Sequence, residues 1–118
     1  MTSEQRKLLA RQYVGHSNAH DLDAIRAMLA PNARYSSSRV GEHSGADNII
    51  AMMDGFFSDY PDVNWQVPEY RDENDSTVVF DFAMTATDAK STEVIRRKGV
   101  ERIEFDPVGL ISWIDVQA

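Results

Sequence analysis

From Ser3 to about Asn18, Leu8, Leu9, Tyr13 and His16 recur at three- and four-residue spacing, while Glu4, Arg6, Lys7 and Arg11 fall between them. That period predicts an amphipathic helix of about four turns. It gives out at Asn18-Ala19-His20. Asp21 is suited to cap a second helix, because its carboxylate accepts free backbone N–H groups of the first turn, and Leu22, Ile25, Met28 and Leu29 supply the apolar stripe. Pro31-Asn32 is expected to end that helix. Ala33 to Val40 reads as a short Ser-rich strand carrying Tyr35, and Gly41 to Gly45 as a loop. A third helix follows. Asp47 suits the positive end of its dipole, Ile49, Ile50, Met53, Phe56 and Phe57 form its buried face, and Tyr60-Pro61 closes it.

After Pro61 the period changes from helical to alternating. Val63, Trp65 and Val67 alternate with Asn64, Gln66 and Pro68; Asp72 to Asp75 makes an acidic turn; Val78, Val79, Phe80, Phe82 and Met84 begin the next strand. A second turn falls near Asp88 to Ser91. Glu93 to Phe105 alternates over a long stretch, Asp106-Pro107-Val108-Gly109 turns it, and Gly109 to Val116 is the last strand. The order α-α-β-α-β-β-β-β predicts an α+β fold with three helices on one face of a curved sheet.

Composition narrows the function. With 118 residues and 42% apolar content the chain suits one domain, residues 1–118, with one core. It has no cysteine, which removes thiol nucleophiles, thiolate metal sites and disulfides together. The net charge of −7 makes nucleic acid and anionic membrane surfaces poor partners. No apolar run approaches the roughly 20 residues of a membrane span and the start lacks a signal-like stretch, so a cytoplasmic protein is expected.

Several segments together resemble the NTF2-like superfamily, and within it the SnoaL-like and ketosteroid-isomerase-like proteins. They are Tyr13-Val14, then Asn18-Ala19-His20-Asp21-Leu22-Asp23-Ala24-Ile25 and Met28-Leu29-Ala30, Ser44 to Ile50, Tyr60-Pro61-Asp62, and Gly109 to Asp115. His20 stands where those proteins usually carry glycine. The resemblance covers nearly the whole chain. It implies a cone of curved, mostly antiparallel sheet with three helices, open at one end to an apolar cavity, and commonly a homodimer. It does not imply one activity, because the fold hosts isomerases, cyclases, epoxide hydrolases, dehydratases, accessory subunits and scaffold domains.

The resemblance puts Tyr13 at the isomerases' oxyanion-binding tyrosine and Glu101 at their protonated acid, a carboxyl held neutral by an apolar site. The position of their proton-abstracting Asp is Ser37. Asp115 falls where the cyclases and epoxide hydrolases carry a catalytic Asp on the last strand. Their further partners are missing: Thr85, Thr87 and Asp88 stand near the cyclases' His, and Asp81-Phe82-Ala83 where the hydrolases have Arg-x-Asp. Strand alternation is expected to place Gly99, Glu101, Ile103 and Phe105 on one face, and Ile111, Trp113 and Asp115 on one face of the last strand.

Each candidate also has a plain structural reading. Tyr13 is equally a core aromatic, Glu101 a surface acid paired with a nearby Arg, and Asp115 a residue on a frayed strand end. His16 and His20 have helical ligand spacing but no third ligand, so no metal site is expected. In Arg96-Arg97-Lys98, alternation splits the charges between two faces, which argues against a nucleic-acid patch. The expectation is a cone that binds a small organic molecule and transfers a proton without a cofactor. Tyr13, Glu101 and Asp115 are its catalytic candidates. Its wall candidates are His16, Tyr35, Phe57, Trp65, Phe80, Phe82 and Trp113. The rival is a non-catalytic ligand-binding, accessory or dimerisation module.

Overall fold

A computed structural model describes all residues, 1–118. Helix α1 spans Ser3–Asn18 and opens on a capping box: the Thr2 side chain accepts from the Gln5 N–H, and the Gln5 side chain accepts from the Thr2 N–H. Its buried face is Arg6, Ala10, Tyr13, Val14 and Ser17. The expected stripe is therefore rotated, and Leu8 stays half exposed. Hydropathy misplaces the face because Arg6 is buried, its guanidinium 3.4 Å from Asp72 and 3.0 Å from the Met1 carbonyl.

Helix α2, Leu22–Met28, starts at Asp21, which accepts from the Ala24 N–H at 3.1 Å. The turn before it puts His20 at φ +54, a left-handed conformation costing an L-residue roughly 1–2 kcal/mol. Glycine suits that conformation best. Here it is held by the imidazole, which stacks 4.2 Å from the Phe57 ring and lies 3.3 Å from the Val63 carbonyl.

Strand β1, Leu29–Ser37, begins before the expected Ala33 and runs through Pro31. Its pairing is interrupted between Leu29 and Arg34, an irregularity that accommodates proline's missing N–H. Gly41–Ser44, expected as a loop, is strand β2, paired antiparallel with β1. Gly-Glu-His-Ser carries no β-branched or aromatic residue to announce a strand. Helix α3, Ala46–Asp59, buries Ile49, Met53 and Phe57 as its period predicts. Four strands follow the short β3, Asn64–Gln66: β4 (Arg71–Asp72), where the residue pattern predicts only a turn, β5 (Thr77–Thr87), β6 (Val94–Phe105) and β7 (Ile111–Gln117).

The sheet order is β2-β1-β7-β6-β5-β3, with β4 also on β5. Only β1 and β7 pair in parallel; the other pairs are antiparallel. All three helices pack on one face, α1 against β3, β4 and β5 and α3 against β1 and β2, with α2 against both helices. Phe80, Ile103, Ile111 and Ile114 from the sheet meet Ile25 and Ile49 from the helices in a fully buried core.

One irregularity decides which residues face the helices. On β7, Ile111 opposes Phe105 and Trp113 opposes Glu104, so Ser112 is an extra residue between them. Its hydroxyl donates to the Glu104 carboxylate at 2.8 Å. A bulge of this kind resets alternation. Ile111 and Ile114 are both fully buried, and Trp113 and Asp115 face the opposite side. The expected shared face of Ile111, Trp113 and Asp115 is thus corrected.

Candidate functional site

Between the helices and the concave sheet lies a cavity with about 80 Å³ of room for the centres of water-sized molecules. One water needs about 10–15 Å³ on that measure, so several fit, or one small organic group. Of its 19 lining residues 14 are hydrophobic, which leaves the chemistry to few groups. Tyr13, Val14 and Ser17 come from α1, and Met53, Phe56 and Phe57 from α3. Trp65 of β3 completes an aromatic wall, its ring 6.1 Å from Phe56 and 6.4 Å from Phe57. The sheet supplies Phe80, Phe82 and Met84 from β5 and Tyr35 and Ser37 from β1.

Glu101 of β6 is the one carboxylate side chain in this lining. It is 6% exposed and lies opposite Phe80 on β5 and Val116 on β7, so all three point inward. Burial pushes its pKa up to about 8, with the Asp115 carboxylate adding to the shift. Its carboxyl accepts no hydrogen bond from the protein and opens into the cavity. Burial, and then the charge of Glu101, also push the Tyr13 and Tyr35 phenols well up. Both hydroxyls therefore stay protonated, as donors, at neutral pH.

Seven of the residues expected at the site converge on this lining: Tyr13, Tyr35, Phe57, Trp65, Phe80, Phe82 and Glu101. Three do not. His16 lies off the rotated inner face of α1, while Ser17 occupies it and donates to the Tyr13 carbonyl at 2.9 Å. Trp113 is turned outward by the bulge; its indole N–H donates to Ser36 at 3.3 Å and the Arg34 guanidinium sits 5.7 Å over its ring. Asp115 is on the same outer face, opposite Arg102 and Ser36, and accepts from Gln117 at 2.9 Å. Its carboxylate reaches the cavity only as a charge acting through the sheet.

Arg39 and Arg97 also line the cavity, although neither is among the residues expected there. For Arg97 the signal is present in the sequence, since residues 97, 99 and 101 share one face of an unbulged strand. Gly99, between them, cannot be larger: an added Cβ would lie 2.5 Å from the Gln117 carbonyl and 2.7 Å from the Phe82 ring. No three His, Asp or Glu side chains come close enough to hold a metal ion.

Residues 10–114 match the family model of the SnoaL-like domain. Among solved structures, the epoxide hydrolase/cyclase-like enzyme SalBIII of salinomycin pyran-ring formation superposes with a TM-score of 0.87 at 20% identity, covering 99% of this chain and 93% of that one. An NTF2-like protein of unknown function from Burkholderia pseudomallei gives 0.84 at 17%, covering 98% and 90%. A Mycobacterium tuberculosis protein in complex with estradiol-17β-hemisuccinate gives 0.81 at 15%, covering 94% and 92%. No curated protein matches the chain in sequence. At these identities the structural likeness is one of fold. With the match running over residues 10–114, and with helices and sheet arranged as in NTF2-like proteins, this chain belongs to the SnoaL-like domain family of the NTF2-like superfamily.

Proposed function

We propose that this protein binds a small, mostly apolar organic molecule in its cone and moves a proton on it without a cofactor, as in an isomerisation or hydration. The observation that carries the reading is Glu101, a carboxyl buried in an apolar cavity beside two tyrosines. With a pKa of about 8 it is mostly protonated at neutral pH yet close to its titration point. A general acid or base works best in that condition. On an enolisable ketone, ionised Glu101 takes the α-proton. The C–H bond breaks, the carboxyl O–H forms, and the electron pair moves to the carbonyl oxygen. Tyr13 and Tyr35 hydroxyls donate to that oxygen, and Glu101 returns the proton to carbon. The proton-transfer role expected of Asp115 passes to Glu101 in this scheme, and Asp115 acts on it by charge alone. The estradiol-17β-hemisuccinate complex of the tuberculosis protein supports small-molecule binding by a protein of this fold.

The test is exchange of α-protons of cyclic apolar ketones in heavy water, followed by NMR. We expect enzyme-dependent exchange that falls about 100-fold or more in Glu101→Gln and clearly, though less, in Tyr13→Phe. Ketones that quench tryptophan fluorescence without exchanging would overturn the catalytic part and leave a binding module. Absence of both binding and exchange across the panel overturns the reading entirely.

We also propose a homodimer, as the family resemblance implies. Trp113, held half-buried among Arg34 and Ser36 on the outer sheet face, supports it. Sedimentation equilibrium should give twice the 13.3 kDa of the chain; a mass of one chain overturns it.

A further inference from the structure

The cone opens in one direction. On β6 the inward residues Phe105, Ile103 and Glu101 are buried, whereas Gly99 and Arg97 are partly exposed. On β7 exposure rises from Ile111 and Ile114 to Val116, and on β1 from Ala33 through Tyr35 and Ser37 to Arg39 just beyond the strand. Arg39 and Arg97 thus mark the open end, and both line the cavity.

Neither arginine has an acidic partner. The five ion pairs of the fold use Arg6, Arg26, Arg71 and Arg102. Arg97 is partly buried opposite Met84, while Arg96 and Lys98, its neighbours in sequence, point to the other face. A half-buried guanidinium without an acceptor has lost water and gained nothing in exchange. This occurs in a chain of net charge −7, where a free acid is repelled on average and only a local reversal of sign can hold one.

Resting on the cavity-binding reading above, we propose that the ligand is an amphipathic organic acid, whose carboxylate is received by Arg39 and Arg97 at the mouth while its apolar body fills the cone toward Glu101. Guanidinium groups suit this because their planar forks match a carboxylate with paired hydrogen bonds. Four residue steps along the strand lead from Arg97 to Glu101, roughly 13 Å between their backbones. The substrate class is therefore a keto or hydroxy acid whose reacting oxygen and acid group are held apart by an apolar body on the order of 10 Å, the scale of the strand span between the two positions. Such a separation keeps the acid away from the buried Glu101.

The probes are 4-phenylbutyric acid and its methyl ester, which share an apolar body small enough for the cavity and differ in charge, read by isothermal titration calorimetry at neutral pH and low salt. We expect the acid to bind at least 10-fold tighter than the ester. In Arg39→Gln/Arg97→Gln the ratio of the two affinities should fall to near one, and Arg39→Gln/Arg97→Lys should restore part of it. Equal affinities in the wild type, or a ratio unchanged in the double variant, overturn the assignment while leaving cavity binding intact. If neither probe binds the wild type, the cavity-binding reading itself fails, and this inference with it.

Discussion

Raising the pH from about 5 to about 8 should destabilise the folded chain, and Glu101→Gln should remove most of that loss. In the unfolded chain the carboxyl titrates near its usual 4.5; in the cavity it titrates near 8. Between those values the unfolded chain has released a proton that the folded chain still holds, so each rise in pH favours unfolding. The contribution is fully present below the lower value and gone above the higher one. At about 1.4 kcal/mol per pH unit, the whole window is worth several kcal/mol, a large share of the stability of a small domain. The surface acids act in the opposite sense at the acid end. Hydrogen bonds from Thr87 to Asp62, from Ser3 to Asp72 and from Ser91 to Asp88 hold these carboxyls below their usual range. What they contribute is lost as the pH falls. Stability should therefore peak in mildly acid solution. Melting temperatures across this range check it. A wild-type profile as flat as that of Glu101→Gln would show that Glu101 meets water freely, and the buried acid of the proposed mechanism would go with it.

Phe80→Ala should cost about 3–5 kcal/mol, lowering the melting temperature by well over roughly 10 °C in a domain of this size. Phe80 is 1% exposed, its ring lies 5.0 Å from Tyr70, and it belongs both to the core and to the cavity wall. Truncation joins a new void to an existing space, which leaves the surroundings little to collapse onto. A second readout separates this from generic core damage. Phe80 lies directly opposite Glu101 in the β5–β6 register and helps keep water from it. Without the ring, water should reach the carboxyl and its pKa should fall toward the usual value. The pH dependence of melting should then flatten in Phe80→Ala, as in Glu101→Gln. Equal destabilisation with an unchanged pH dependence would mean that other groups keep Glu101 dry.

The inner wall is largely legible in the sequence wherever an element is regular. Tyr13 stands out because α1 repeats every three to four residues, although burial of Arg6 beside Asp72 rotates the face and takes His16 off it. Phe80 and Phe82 on β5 and Glu101 on β6 are legible because those strands alternate without interruption through eleven matched pairs. Asp115 and Trp113 mislead because alternation on β7 is broken at Ser112, and nothing in the residues 111–117 themselves marks the break.

Helix positions, caps and the long strands are written in near-neighbour chemistry, in Thr2 and Asp21 at helix starts and in periods of 3.6 and 2. The family, too, follows from the ordering of such short segments. The bulge at Ser112, strand β2, the passage of β1 through Pro31 and the place of both Arg39 and Arg97 in the cavity lining depend on partners elsewhere in the chain. A side chain's neighbours along the chain set its period, but the strand beside it sets its register. The face on which it emerges, and hence its place in the cavity, is settled only when the sheet closes over the helices.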